Sequence, residues 1–142
     1  MKARRTLLAR AYILHTQPYR DTSRILEVFT REQGRVSVFA RGVRGPKARL
    51  ASLLQPFQPL LLSWSGRGEA AQLTGAERAA HLPRLPAVCV MAAFYLNELL
   101  LRLTTRHDPL PELYDDYHAT LVALAAGEAL EPGLRVFEKL FR

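Results

Sequence analysis

The sequence predicts an α+β chain in two parts: a five-stranded β-barrel over residues 1–80, then an all-α domain over residues 81–142. Three observations carry this prediction. Up to about residue 76, short runs rich in β-branched and aromatic residues are separated by turns that contain Gly. At Pro83 and Pro86 the composition changes to strong helix formers, with apolar residues at helical spacing. Charge divides along the chain as well: residues 1–50 hold 12 Lys and Arg against 3 Asp and Glu, while residues 81–142 hold 6 against 8. With 142 residues, 49% hydrophobic and 23% charged, the chain is long enough to bury a core and too apolar to be disordered.

The first strand is expected over residues 7–19, around Tyr12-Ile13-Leu14, with Pro18 near its end. Arg20-Asp21-Thr22-Ser23 turns the chain into a second strand over 24–31, where Ile25, Leu26, Val28 and Phe29 supply strand character. Glu32-Gln33-Gly34 is a tight hairpin signal. Beyond it Val36, Val38 and Ala40 alternate with Arg35, Ser37, Phe39 and Arg41, so one face of the third strand is apolar and the other is basic and aromatic. Residues 42–47 are a Gly- and Pro-containing basic loop, followed by a short helical or irregular connection over 48–55. A fourth strand over 57–65 follows Pro56 and includes Pro59, which suggests entry along a sheet edge. Ser65-Gly66-Arg67-Gly68 then turns into a fifth strand over 69–75. This pattern suits a barrel of the oligonucleotide-binding (OB) type, and an SH3-like barrel fits it too.

From Pro86 to Arg106 nearly every residue favours helix, and residues 88–96 are apolar on all faces, which predicts a centrally buried helix. Leu110, Leu113, Tyr114, Tyr117, Leu121 and Leu124 form the stripe of a second helix over 111–126, stopped at Gly127. A third starts at Pro132 and aligns Leu134, Phe137 and Phe141. It reaches Arg142 without a stop signal, so more protein is expected to pack on its stripe.

Cys89 stands alone in an apolar run, which leaves no disulfide or cysteine cluster. The basic N-terminus lacks the apolar core of a signal peptide, and the longest apolar run, residues 87–96, is too short to span a bilayer. A cytoplasmic chain without a membrane partner is expected. His15, His81, His107 and His118 lack metal-ligand spacing, and Asp115-Asp116 points to two sides of a helix. Gly66-Arg67-Gly68 lacks the Lys-Ser/Thr and helix of a phosphate loop. No enzyme chemistry, cofactor or metal is therefore expected.

What remains is binding to a polyanion. Arg35, Arg41, Arg44, Lys47 and Arg49 crowd one strand and its loop, with Arg67 on the opposite hairpin and Arg4 and Arg5 in the tail. Phe39 and Trp64 are the stacking candidates, each with core packing as the ordinary alternative. No base-reading arrangement is visible, so sequence-tolerant binding is expected. Before any family is considered, an RNA-binding or ribosome-associated OB protein fits these residues equally well.

Several stretches carry a more specific likeness. Pro18-Tyr19-Arg20-Asp21-Thr22-Ser23, Glu27-Val28-Phe29-Thr30-Arg31-Glu32-Gln33-Gly34-Arg35-Val36, Ala40-Arg41-Gly42, Leu54-Gln55-Pro56-Phe57-Gln58-Pro59-Leu60 and Tyr95-Leu96-Asn97-Glu98-Leu99-Leu100 fall in one collinear register that resembles the RecO family of bacterial recombination mediators. The resemblance implies an N-terminal OB domain and a helical domain in a nucleoid-associated protein. It also implies binding of single- and double-stranded DNA, strand annealing and cooperation with RecR. Engagement of the acidic C-terminal tail of single-stranded DNA-binding protein (SSB) and assistance in loading RecA follow from it too. Carried onto this sequence, the family's DNA surface is Arg35, Arg41, Arg44, Lys47 and Arg49, to which the residue chemistry adds Phe39 and Arg67, and the SSB-tail contact is Arg135. The family continues past this point, in some members with a four-cysteine zinc element that this sequence does not contain.

Overall fold

The computed structural model describes residues 5–20, 22–42, 48–66 and 71–127. Its elements are β1 (Arg5–Tyr19), β2 (Ser23–Thr30), β3 (Gly34–Ala40), α1 (Ala48–Leu53), β4 (Leu60–Ser65), β5 (Gln72–Arg78), α2 (Ala87–Leu103) and α3 (Pro111–Ala125). The strands close in the order β1-β2-β3-β5-β4, with β4 returning to β1 and α1 between the third and fourth strands. This is an OB-type barrel followed by helices, the architecture expected from the sequence.

β1 makes closure possible because it serves two neighbours. Ala11 to Tyr19 pair with β2, and Arg5 to Ala11 pair with β4. A strand that does both must coil, and it coils at two breaks in register, between Thr6 and Ala9 and between Ile13 and His15. At the first break Leu8 takes a positive φ of 51°, and its N–H donates to Ser63 Oγ at 2.9 Å.

The seam between β3 and β5 is narrow. The two strands share one parallel pairing, Phe39 with Gln72, beside a bond from the Phe39 N–H to the Ala71 carbonyl at 2.9 Å. Farther along β3, the connection between α2 and α3 lies against the strand edge. Arg106 bridges Arg35 in parallel, and the His107 N–H donates to the Arg35 carbonyl at 2.8 Å. Gly34 is required here. Its φ is +73°, and a Cβ on it would sit 2.3 Å from the Asp108 carbonyl oxygen.

Alternation along the strands divides the apolar residues between two cores. Ala11, Ile13, Leu26, Val28, Val36, Val38, Leu60, Leu62 and Trp64 fill the barrel. Tyr12, Leu14 and Phe29 face outward from β1 and β2 and meet Ala93, Leu96 and Leu100 of α2 and Tyr114, Tyr117, Leu121 and Leu124 of α3. The helices thus cover one side of the barrel, and Ala11 to Leu14 are buried on both faces. At the rim of this layer Arg31 holds Asp115 through two bonds, Nε to Oδ1 at 2.9 Å and Nη2 to Oδ2 at 3.0 Å.

Four expectations change. Helix α2 is not buried all round: Val88 and Met91 are 84% and 82% exposed, and Phe94 and Tyr95 are exposed beside them. Only one barrel face is available to the helix, so its Cys89, Ala93, Leu96 and Leu100 face pack and the rest stay outside. β4 is not an edge strand, since it ladders with both β1 and β5; Pro56 and Pro59 precede the strand and remove no ladder bond from it. β5 runs three residues further than expected, to Arg78, because Glu77 and Arg78 still pair with Leu61 and Leu60. A closed barrel with this strand order also removes the SH3-like alternative. The helix expected from Pro132 lies outside the described residues.

Two predictions follow from these contacts. Gly34→Ala must relieve both a left-handed φ and a backbone collision, so it should lower unfolding stability by about 2–4 kcal/mol, read from the urea midpoint. The hydrogen bonds from Arg31 hold the Asp115 carboxyl below its ordinary value. A depressed folded-state value stabilises above the unfolded value of about 3.9, and that contribution disappears as pH falls through the folded value. Urea midpoints measured down the acid limb should therefore fall less steeply for Asp115→Asn than for the parent chain.

Candidate nucleic-acid interface

Beside the area that the helices cover, the ends of β1, β2, β3 and β5 line an open cavity of about 640 Å³. Its walls include Tyr19 and Arg20 at the β1–β2 turn, Ile25 of β2, Phe39 of β3 and Gln72 at the start of β5. The second and third strands, together with the β1–β2 and β4–β5 loops, form the face on which OB barrels hold oligonucleotides.

Aromatic and cationic groups interleave here. The Tyr19 and Phe39 rings meet edge to face, with centroids 5.3 Å apart and planes at 83°. The Arg20 guanidinium lies 5.3 Å from the Tyr19 centroid, and that of Arg41 lies 6.0 Å from the Phe39 centroid. Neither arginine has an ion pair with a described carboxylate. Phe39 faces outward because Val36, Val38 and Ala40 occupy the alternate, inward positions of β3. Flat rings flanked by guanidiniums can stack on bases and hold the adjoining phosphates.

The sequence-derived site residues separate on this frame. Phe39 lines the cavity, and Arg41 lies against its ring. Arg35 is placed elsewhere: its side chain is 12% exposed, and its Nη1 binds Glu27 Oε1 at 2.6 Å. Its Nη2 and Nε donate to the carbonyl oxygen and Oγ1 of Thr104 at 2.8 and 3.2 Å. These bonds tie the barrel to the end of α2, so we draw the interface without Arg35. Arg49 belongs to α1, and its side chain is outside the described residues, as are Arg44, Lys47, Arg67 and Arg135. Arg5 is exposed and paired in the ladder with Ser65.

Trp64 is not a stacking residue. It is 5% exposed and fills the barrel with Leu60 and Leu62, which share its parity on β4. That parity was present in the sequence. Tyr19 and Arg20 were missed as site residues, although an aromatic–cation dipeptide at the turn facing Phe39 was their signal. Arg106, another wall of the cavity, gave no local signal because it arrives from the connection after α2.

Among the described residues no group of three His, Cys, Asp or Glu side chains is placed to hold a metal ion. His118 instead meets the Tyr12 hydroxyl through Nδ1 at 2.5 Å. Burial pushes the Tyr12 phenol well above its ordinary value. No described helix is long and apolar enough to cross a membrane.

The placement of Trp64 predicts its optical behaviour. Its emission should be blue-shifted, weakly quenched by acrylamide, and unchanged on addition of oligonucleotide until the barrel unfolds.

Comparison with known proteins places these features in a family. The family model "Recombination protein O N terminal" matches residues 1–81, and "Recombination protein O C terminal" matches residues 89–139. The DNA repair protein RecO of Methylococcus capsulatus is 53% identical over 134 residues, covering 94% of this chain and 55% of that protein. Its counterpart in Nitrosococcus oceani is 50% identical over 135 residues, covering 95% and 55%. That of Cupriavidus pinatubonensis is 50% identical over 129 residues, covering 91% and 44%. The chain spans about half the length of the curated relatives it matches.

Proposed function

Since the chain belongs to the recombination protein O (RecO) family, we propose that it acts in DNA repair and recombination by holding DNA strands on the open face of its barrel. The observation that carries this reading is the Tyr19–Phe39 ring pair flanked by Arg20 and Arg41. Rings stack on any base and guanidiniums bind any phosphate, so recognition is indifferent to sequence. No group in this arrangement is asked to make or break a bond, and the proposed activity is not enzymatic.

Annealing follows from the same chemistry. Two complementary strands repel through their phosphates, and a positive surface that screens both lowers the barrier to their pairing. Arg44, Lys47, Arg49 and Arg67 extend this surface in our reading, and double-stranded DNA binds through its backbone alone. We further assign RecR as a partner, capture of the acidic SSB tail through Arg135, and help in loading RecA onto SSB-coated strands; these assignments rest on family membership. For the tail, the Arg135 guanidinium offers a carboxylate a charge-assisted partner.

Fluorescence anisotropy with a labelled single strand, across a salt titration, tests the site. Arg20→Glu combined with Arg41→Glu should weaken binding at least tenfold, to order of magnitude, and lower the log–log salt slope by about 0.7 per lost contact. Phe39→Ala should cost about 1–3 kcal/mol of binding. Retained Trp64 emission verifies folding in each variant. Undiminished affinity of the double variant at every salt concentration rejects the site, and preference for a matched RNA competitor replaces DNA with RNA as the ligand.

A further inference from the structure

Glu27 lies on the outer face of β2, its side chain only 11% exposed, and it accepts bonds from two arginines. Arg35 Nη1 is 2.6 Å from Oε1; Arg106 Nε is 2.8 Å from the same oxygen, and Arg106 Nη2 is 3.2 Å from Oε2. One carboxylate between two guanidiniums leaves a positive charge over. The two are not equivalent. The Arg35 side chain is 12% exposed and is also fixed by Thr104, whereas that of Arg106 is 42% exposed and forms a wall of the cavity that holds Tyr19, Arg20 and Phe39.

The backbone at Arg106 is anchored independently of its side chain. It bridges Arg35 at the β3 edge, and the next residue, His107, donates its N–H to the Arg35 carbonyl. The guanidinium can therefore turn by rotation of its own side chain while the connection stays docked. If it turns, Glu27 keeps its shorter and more buried bond to Arg35. Of the two pairs, the one with the more exposed arginine is the weaker restraint. A phosphate offers the same guanidinium an equivalent bidentate acceptor and releases a counterion on binding.

We propose that Arg106 is a phosphate contact that the helical part of the chain supplies to the barrel's binding face, aimed by Glu27 and passed from that carboxylate to the backbone of a bound strand. The proposal deepens the reading of the cavity as a DNA site and rests on it. On this account the site is composite: the barrel provides the rings and two of the arginines, and the connection after α2 provides a third.

The test uses the whole chain, a labelled oligothymidylate and a salt titration. Arg106→Gln should bind roughly threefold to tenfold more weakly at low salt, with the log–log slope reduced by about 0.7. Arg31→Gln is the control, because it too removes an arginine–carboxylate contact between barrel and helices, that with Asp115, away from the cavity walls. It should lose comparable thermal stability and leave DNA affinity and slope unchanged. An unaltered slope in Arg106→Gln, or equal loss of binding in both variants, overturns the proposal; in the second case the joint alone matters. Should the Arg20/Arg41 double variant also bind normally, the cavity reading fails and this proposal falls with it. If only Arg106→Gln is silent, the cavity reading stands and Arg106 is removed from it. A measurement on the unaltered chain guards against a folding defect. The Arg106 Nε–Hε resonance should shift as oligonucleotide is added while that of Arg31 stays in place, and a stationary Arg106 signal at saturation refutes the contact.

Discussion

One buried hydrogen bond sets the position of the helices on the barrel at the break in β1. The β1–β2 ladder skips Leu14 at the register break between Ile13 and His15, in a segment covered on both faces. A carbonyl left unpaired there would cost the desolvation of a polar group, about 1–3 kcal/mol. Asn97 of α2, itself buried, donates its Nδ2–H to the Leu14 carbonyl at 3.3 Å and accepts the Tyr117 hydroxyl on its Oδ1. Burial pushes the Tyr117 phenol well above its ordinary value and keeps its proton in place as the donor. The break that lets β1 coil is thus the point at which the helices are registered on the barrel. Packing of Leu14, Leu96 and Leu121 supplies area, and the amide supplies position.

Positive charge on this chain is less freely available than its composition indicates. The excess of cations in residues 1–50 includes Arg31 and Arg35, and both are turned against carboxylates and the helical layer. Arg31 reaches Asp115 of α3, so part of the charge division between the two halves is resolved inside the molecule as contacts between them. Arg20 and Arg41 lie beside aromatic rings instead, and this placement sets the proposed binding face apart from the structural one.

Features set by nearest neighbours along the chain were legible in the sequence. The alternation of β3 showed Phe39 facing out and Val36 and Val38 facing in, and the stripe of α3 gave its buried face as Tyr114, Tyr117, Leu121 and Leu124. Trp64 was legible too, had its parity with Leu60 and Leu62 been weighed above its aromatic character. Features set by distant partners were not. Nothing in Gly34-Arg35-Val36 announces that Arg35 will find Thr104, or that the residue before it must admit the backbone of Asp108. Helix α2 misled for a related reason: an apolar circumference does not reveal how many faces the rest of the fold can cover.

The short segment after α2 has a consequence for anyone treating OB barrels as portable parts. By lying along β3, Arg106 and His107 occupy hydrogen-bonding positions that a bare strand would present to any neighbouring chain. A graft cut at the last strand would carry away an uncovered border, together with the greasy outer surfaces of Tyr12, Leu14 and Phe29. Transplanting the proposed binding face into another scaffold therefore means taking α2 and its trailing turn along with it.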